Sequence, residues 1–139
     1  MSLPPFELPP GMRAPEGDRH PADAYQEAWR LLEESAPLEA IELLDPAVAA
    51  EPMSTGLRTL RAWAYLMRAQ LQRAETELTQ LVEENPTDDW AQHALGRCLE
   101  RQSRYAEALP HLRLAAAMSG DWDQGLAVLR VEEQLNREA

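Results

Sequence analysis

A fixed spacing of 34 residues is the feature that most constrains the fold of this chain. Proline or glycine interrupts the sequence at Pro52, Pro86 and Gly120, and successive members of this set lie 34 residues apart. Self-similarity at such a period is typical of proteins built from stacked repeats. When aligned, three segments keep the same residue types in the same columns: 21–54, 55–88 and 89–122. The period therefore predicts three similar structural units.

Small and large residues alternate in these columns in a way that predicts paired helices. Positions 8 and 20 of each segment hold small residues: Ala28, Ala62 and Gly96, then Ala40, Ala74 and Ala108. Positions 11 and 24 hold large ones: Leu31, Tyr65 and Leu99, then Leu44, Leu78 and Leu112. Small residues allow two helices to approach closely, and large residues fill the space beside them. One such helix pair cannot bury its apolar face alone, so neighbouring pairs must stack.

Helix starts are marked by residues that favour the first turn of a helix. Pro21 suits a first-turn position, and Ser54 or Thr55 suits the start of the second unit. Thr87, followed by two aspartates, marks the start of the third unit.

On these columns the chain resembles three tetratricopeptide repeats, with "LGRCLERQSRYAEALPHLRLA" (95–115) as the most typical segment. The family's aromatic at position 4 is replaced here by Ala24, Arg58 and Gln92. The resemblance implies an all-α fold, an α-solenoid of three helix-turn-helix repeats followed by a capping helix. The expected organisation is a proline-rich N-terminal extension, three repeats, and a C-terminal capping helix with a short tail: 1–20, 21–122 and 123–139.

Residues 123–136, "DQGLAVLRVEEQLN", carry the apolar residues expected of that capping helix. Solenoid ends require such a cover. The residues expected to cover the last repeat are Leu126, Leu129, Val131 and Leu135.

The resemblance further implies that the first helix of each repeat lines a concave groove. Carried over to this sequence, the partner-binding residues are Tyr25, Trp29, Thr59, Trp63, Leu66, Met67, Trp90, His93, Arg97 and Arg101. Large aromatics with a methionine are common at peptide-binding hot spots. His93, Arg97 and Arg101 would form a basic end of the groove. The alternative is that Trp29 and Trp63 pack between repeats and replace the missing aromatics at position 4. Similarly, Trp90 could seal the junction between the second and third repeats.

The function implied by this resemblance is protein–protein interaction, with a peptide or helix of a partner bound in the groove. Members that clamp a chaperone's C-terminal carboxylate use Lys and Asn at positions where this chain has Tyr25 and Trp29. We therefore expect an extended or helical apolar segment as the ligand. Two alternatives remain open: a small chaperone similar to those of type III secretion, and a structural subunit that self-associates or anchors a larger assembly.

The charge balance argues against several classes of partner. The net charge is −11, with 24 acidic residues and 13 arginines and no lysine. Nucleic acids and anionic membrane surfaces both require a basic face. The N-terminus lacks the pattern of a signal peptide, so we expect a cytoplasmic protein. The exclusive use of arginine indicates a GC-rich genome, and we expect a bacterial source.

Residues that could perform chemistry do not form a recognisable site in the sequence. The histidines are not at metal-ligand spacing from cysteine or acidic partners. Cys98 occupies a helix position expected to be buried, and no phosphate-binding glycine loop is present. We therefore expect neither an enzyme nor a bound metal or cofactor.

The N-terminal stretch "SLPPFELPPGM" (2–12) is unusually apolar for a terminal extension. Paired prolines favour extended geometry, and a polyproline II segment has three residues per turn. Leu3, Phe6 and Met12 would then share one edge with Pro9. Two alternatives remain open for this segment. Either it docks on the repeat domain, where it shields apolar surface or competes with a partner, or it is a mobile tail.

Overall fold

The computed structural model describes residues 24–139, which contain seven α-helices and no β-strand. The helices are α1 Ala24–Glu33, α2 Pro37–Ala50, α3 Thr55–Met67, α4 Leu71–Glu84, α5 Asp89–Arg101, α6 Tyr105–Ser119 and α7 Trp122–Glu138. The predicted all-α fold is confirmed. The chain divides after Glu77, within α4, into two compact units. Within the first unit α1, α2 and α3 pack on one another, and within the second α6 packs on both α5 and α7.

The starts of α3 and α5 follow the capping signals of the sequence. The Ser54 side chain accepts a hydrogen bond from the backbone N–H of Leu57 (3.3 Å) at the start of α3. Asp88 accepts from the N–H of Ala91 (3.1 Å) at the start of α5. Both caps satisfy amide groups that have no partner inside the helix. Pro21 lies outside the described residues.

The turn between the paired helices repeats with the same backbone geometry in all three copies. Ser35, Ala69 and Ser103 have positive φ angles of 59°, 57° and 61°, although none is glycine. The next residue in each copy donates its N–H to a carbonyl five residues earlier: Ala36 to Leu31 (2.8 Å), Gln70 to Tyr65 (2.9 Å) and Arg104 to Leu99 (3.0 Å). This left-handed cap satisfies carbonyls at the helix end and turns the chain toward the next helix.

The small-residue columns lie in the core, as the period predicted. Ala28, Ala40, Ala62, Ala74 and Ala108 are fully buried. The close approach is sharpest at Gly96, where an added Cβ would lie 2.6 Å from the Leu112 side chain and 3.3 Å from the Ala108 carbonyl oxygen. Position 8 of this repeat therefore faces positions 20 and 24 of its own second helix.

The C-terminal helix covers the second unit with fewer of its apolar residues than the sequence indicated. Val131 and Ala127 are fully buried in α7. Leu126 and Leu129 were expected to face the last repeat, but they are 42% and 61% exposed. That expectation was wrong. Leu126 lies four residues after Trp122, and Leu129 lies three residues after Leu126, so all three share one side of the helix, opposite Val131.

Candidate protein-binding site

An aromatic cluster joins α1 and α3 in the first unit. The ring centroids of Tyr25 and Trp29 lie 6.0 Å apart, and those of Trp29 and Trp63 lie 6.1 Å apart in an edge-to-face arrangement. An added Cβ at Gly56 would lie 3.1 Å from the Tyr25 ring. The structure thus brings together three aromatic residues that the sequence assigned to one surface, and edge-to-face pairs of this kind are favourable.

Burial divides the candidate residues of the first unit into core and surface. Trp29 and Trp63 are only 2% and 7% exposed. Thr59 and Leu66 are also buried, whereas Tyr25 is half-buried and Met67 is exposed. The burial of the two tryptophans favours the packing alternative, because a side chain so enclosed presents little surface to a partner.

A cavity of about 470 Å³ opens beside the half-buried edge of this cluster. Its lining residues come from α1, from the end of α2 and from the start of α3: Ala24, Tyr25, Ala47, Ala50, Glu51, Ser54 and Leu57. The lining is about as polar as it is apolar, and its polar side chains are the Glu51 carboxylate and the hydroxyls of Tyr25 and Ser54. Such a mixed lining suits a ligand that inserts an apolar group and also forms hydrogen bonds. Tyr25 belongs to both the cluster and the cavity.

A carboxylate that the sequence analysis overlooked fixes the arginines of α3. Glu77 contacts Arg61 (2.7 Å) and Arg58 (3.5 Å), and its side chain is 8% exposed. Asp45 also contacts Arg61, at 3.4 Å. Arg58 is itself buried at the position where the family has an aromatic. Glu77 lies one helical turn after the small core residue Ala74 and one turn before the large core residue Leu81. This place in α4 is the signal that could have identified it.

The basic residues of the second unit are mostly enclosed. Arg97 is 7% exposed and contacts the Glu100 carboxylate at 3.2 Å. Arg130 of α7 makes a bidentate pair with the same carboxylate, at 2.5 and 2.8 Å. Burial, together with the neighbouring Arg130, lowers the pKa of Arg97. Arg130 had not been recognised from the sequence, since only the packing of α7 brings it to α5.

His93 lies beside this enclosed group and, like Arg101, keeps part of its surface. Burial lowers the pKa of His93 to about 4, and the positive charges of Arg97 and Arg130 act in the same direction. His93 is therefore neutral near pH 7. Arg101 is half-buried, and Trp90 is 3% exposed. Of the second unit's candidates, Arg101 and His93 retain the most accessible surface.

The remaining predictions concern absent features and the N-terminal segment. Among residues 24–139, no group of His, Cys, Asp or Glu could hold a metal ion, and Cys98 is buried. No helix in that same range has the length and apolar character needed to cross a bilayer. Leu3, Phe6 and Met12 lie outside the described residues, so their docking stays a prediction.

The paired helices and their repeated turns define a helical repeat protein, and comparison with known proteins identifies the repeat. Residues 31–98 match the family model described as tetratricopeptide repeat. This part of the chain consists of tetratricopeptide repeats, as the resemblance of its sequence implied. No curated protein sequence matches it.

Solved structures with the same fold share little sequence with this chain. It is similar to MamA, with 21% identity and a TM-score of 0.73 over 81% of this chain and 66% of that one. It is also similar to the first tetratricopeptide domain of human RPAP3, with 17% identity and a TM-score of 0.75 over 82% and 91%. The first such domain of Spaghetti (RPAP3), bound to the HSP90 peptide SRMEEVD, has 18% identity and a TM-score of 0.75 over 81% and 93%. At these identities the similarity shows the fold.

Proposed function

We propose that this chain is a non-catalytic protein-interaction module that binds an apolar segment of a partner protein at Tyr25 and the adjoining cavity. The observation that carries this proposal is the position of Tyr25. Tyr25 lines the cavity of about 470 Å³, and its ring packs against the buried Trp29. A half-exposed aromatic held by a rigid core has the character of a binding hot spot.

The cavity walls indicate the chemistry of the ligand. Alanines from α2, together with Leu57 from α3, offer apolar contact, and Glu51 and Ser54 contribute side-chain oxygens that accept hydrogen bonds. A partner segment with an inserted apolar side chain and adjacent N–H groups fits this lining. The peptide-bound relative shows that a domain of this fold binds a peptide of another protein.

Trp29 and Trp63 have a supporting role in this proposal. Each is nearly fully buried, and their edge-to-face contact joins α1 to α3. Their rings therefore fix the position of Tyr25, and the surface offered to the partner is Tyr25, Gly56 and the exposed Met67. Substitution of either tryptophan would affect binding through folding.

The test is a binding assay that separates surface from core. The full chain is used to capture partners from a lysate, and the captured protein is then titrated against purified variants. We expect Tyr25→Ala to weaken binding by about fivefold to tenfold or more, as hot-spot truncations do. Leu38→Ala is the matched control, because Leu38 is 49% exposed on α2 and does not line the cavity. Equal affinity of both variants would contradict the proposed site, provided thermal melts show both to be folded.

The N-terminal segment 2–12 is the proposed intramolecular competitor for this site. Its prolines, Leu3 and Phe6 carry the apolar character that the cavity accepts. Deletion of residues 2–12 should then strengthen partner binding, and Phe6→Ala should reproduce part of that gain. Unchanged affinity after the deletion would mean that the segment does not compete.

A further inference from the structure

The outward side of α7 carries an apolar stripe formed by Trp122, Leu126 and Leu129, which are 79%, 42% and 61% exposed. Their spacing of four and three residues places them on one side of the helix. The opposite side, with Ala127 and Val131, is fully buried. The solvent-facing side of an amphipathic helix is ordinarily polar. The stripe departs from that rule.

The repeat spacing shows which side of α7 this is. In α5, Gln92 and Gly96 face α6: the Gln92 side-chain oxygen lies 2.8 Å from His111 Nδ1, and Gly96 lies against Leu112. The residue 34 positions after Gln92 is Leu126. Leu126 therefore occupies a column at which a first helix of this repeat contacts its second helix, and Trp122 and Leu129 lie on the same side of α7. Within the described residues, no helix follows α7 to cover them.

We propose that this stripe binds one amphipathic helix of a partner protein, with basic residues beside its apolar face. The spacing i, i+4, i+7 makes the three side chains one continuous stripe along α7, on which the apolar face of a single helix can lie. Exposed apolar patches of this kind mark such contacts.

Charge on and around α7 determines the sign of the partner. Residues 121–139 contain five acids and two arginines. Both arginines are already engaged, Arg130 with Glu100 and Arg137 with Glu133, and Glu132 pairs with Arg113 of α6. Asp123 lies beside Trp122 at the start of the helix, where no arginine pairs with it in the contacts described. Basic flanks on the incoming helix would complement this surface.

A second copy of the chain fits the stripe less well. Its net charge of −11 would bring two acidic surfaces together. A stable dimer interface also comprises about 800 Å² and about 20–30 residues on each partner, and three side chains on one helix are a small part of such an interface.

Trp122 provides a built-in reporter for the test. The other three tryptophans, Trp29, Trp63 and Trp90, are at most 7% exposed, so acrylamide quenching of fluorescence reports mainly on Trp122. The probe is a synthetic amphipathic helical peptide with leucines at i, i+3, i+4 and i+7 and lysines on both flanks. The control peptide has glutamates in place of the lysines. The lysine peptide should protect Trp122 from the quencher in a saturable manner, and the glutamate peptide should not.

Variants of the chain locate the contact. Leu126→Ser with Leu129→Ser should lower the affinity for the lysine peptide by about tenfold or more. Leu114→Ser is the control, because Leu114 is 43% exposed on α6 and lies outside the stripe. Circular dichroism verifies that both variants fold, and Tyr25→Ala should leave this binding unchanged, which separates it from the cavity site.

Three outcomes would overturn the proposal. The first is the absence of saturable protection of Trp122 by the lysine peptide, or equal protection by the two peptides. The second is equal affinity of the double variant and Leu114→Ser. The third is protection that rises with chain concentration alone, accompanied by a doubled mass in sedimentation, which would assign the stripe to a second copy.

Discussion

The two units place different chemical groups in one column of the repeat: aromatic rings in the first unit and a guanidinium group in the second. Position 9 is Trp29 in the first repeat and Trp63 in the second, whose rings pack edge to face. In the third repeat the same column holds Arg97, which is buried and contacts the Glu100 carboxylate. His93 lies one helical turn before Arg97. All three position-9 residues are at most 7% exposed. The repeat therefore fixes where a side chain lies and how deeply it is buried, but different groups can fill the place.

The consequences for stability differ between the units. An aromatic pair stabilises by apolar burial and is indifferent to pH and salt. A buried guanidinium requires its carboxylate partner, because a lone charge in the interior is costly. Glu100 supplies that partner and is shared with Arg130 of α7. The second unit thus depends on electrostatics at a position where the first depends on packing.

The largest expected effect comes from removing the aromatic packing of the first unit. Trp29→Ala should lower the free energy of unfolding by about 3–5 kcal/mol, because it removes a buried ring and leaves a cavity. Trp122→Ala is the matched control and should change it by less than about 0.5 kcal/mol, since Trp122 is 79% exposed. Urea denaturation measures both. If Trp29→Ala lowered the free energy of unfolding as little as Trp122→Ala, the α1–α3 cluster would not stabilise the fold.

A smaller effect tests the electrostatic side. His93 has a pKa of about 4 in the folded chain, against an ordinary value of 6.5. The unfolded chain therefore binds a proton on His93 between pH 6.5 and 4 that the folded chain does not bind. Stability from this group is complete above pH 6.5 and is lost as the pH falls toward 4, by about 1–3 kcal/mol in total.

His93→Gln removes this titration and serves as the comparison. We expect the free energy of unfolding of the variant to fall less than that of the parent chain between pH 7 and pH 4. His111, whose pKa is also lowered by burial, is present in both proteins and cancels in the difference. Parallel pH profiles for the two proteins would mean that His93 is not the group responsible.

The smallest effect tests the feature that the two units share. Ala69 lies in the first unit and Ser103 in the second, and both adopt the left-handed conformation. Glycine adopts this conformation without strain, so Ala69→Gly and Ser103→Gly should each stabilise by about 0.5–1 kcal/mol. Thermal melts measure the gain. A gain in only one unit would show that the turns, like position 9, have diverged in energy despite equal geometry.

The sequence predicted the fold closely because its strongest signals are local or periodic. Helix starts at Ser54 and Asp88 follow from side chains that cap the following turn. Burial of Ala28, Ala62 and Gly96 follows from their shared column, since two helices meet there. The left-handed conformation of the turn residues Ser35, Ala69 and Ser103 was not predictable, because serine and alanine do not mark a left-handed position.

The candidate site was predictable only in part. The sequence grouped Tyr25, Trp29 and Trp63 correctly, because residues in matching columns of stacked helices are neighbours. It could not divide them into core and surface, since an aromatic side chain serves both. The pairs that Glu77 makes with Arg61 and Glu100 makes with Arg130 were also missed, because an ion pair between helices has no fixed spacing along the chain.

The sequence by itself determined the repeat, the seven helices and the small residues at their contacts, since these depend on periodicity and local conformational preference. Only the tertiary structure decided that Trp29 and Arg97 lie equally deep, that Tyr25 borders a cavity, and that Leu126 and Leu129 face outward. The physical reason is that a helix has more than one apolar side, and which side is buried depends on the neighbours that pack against it.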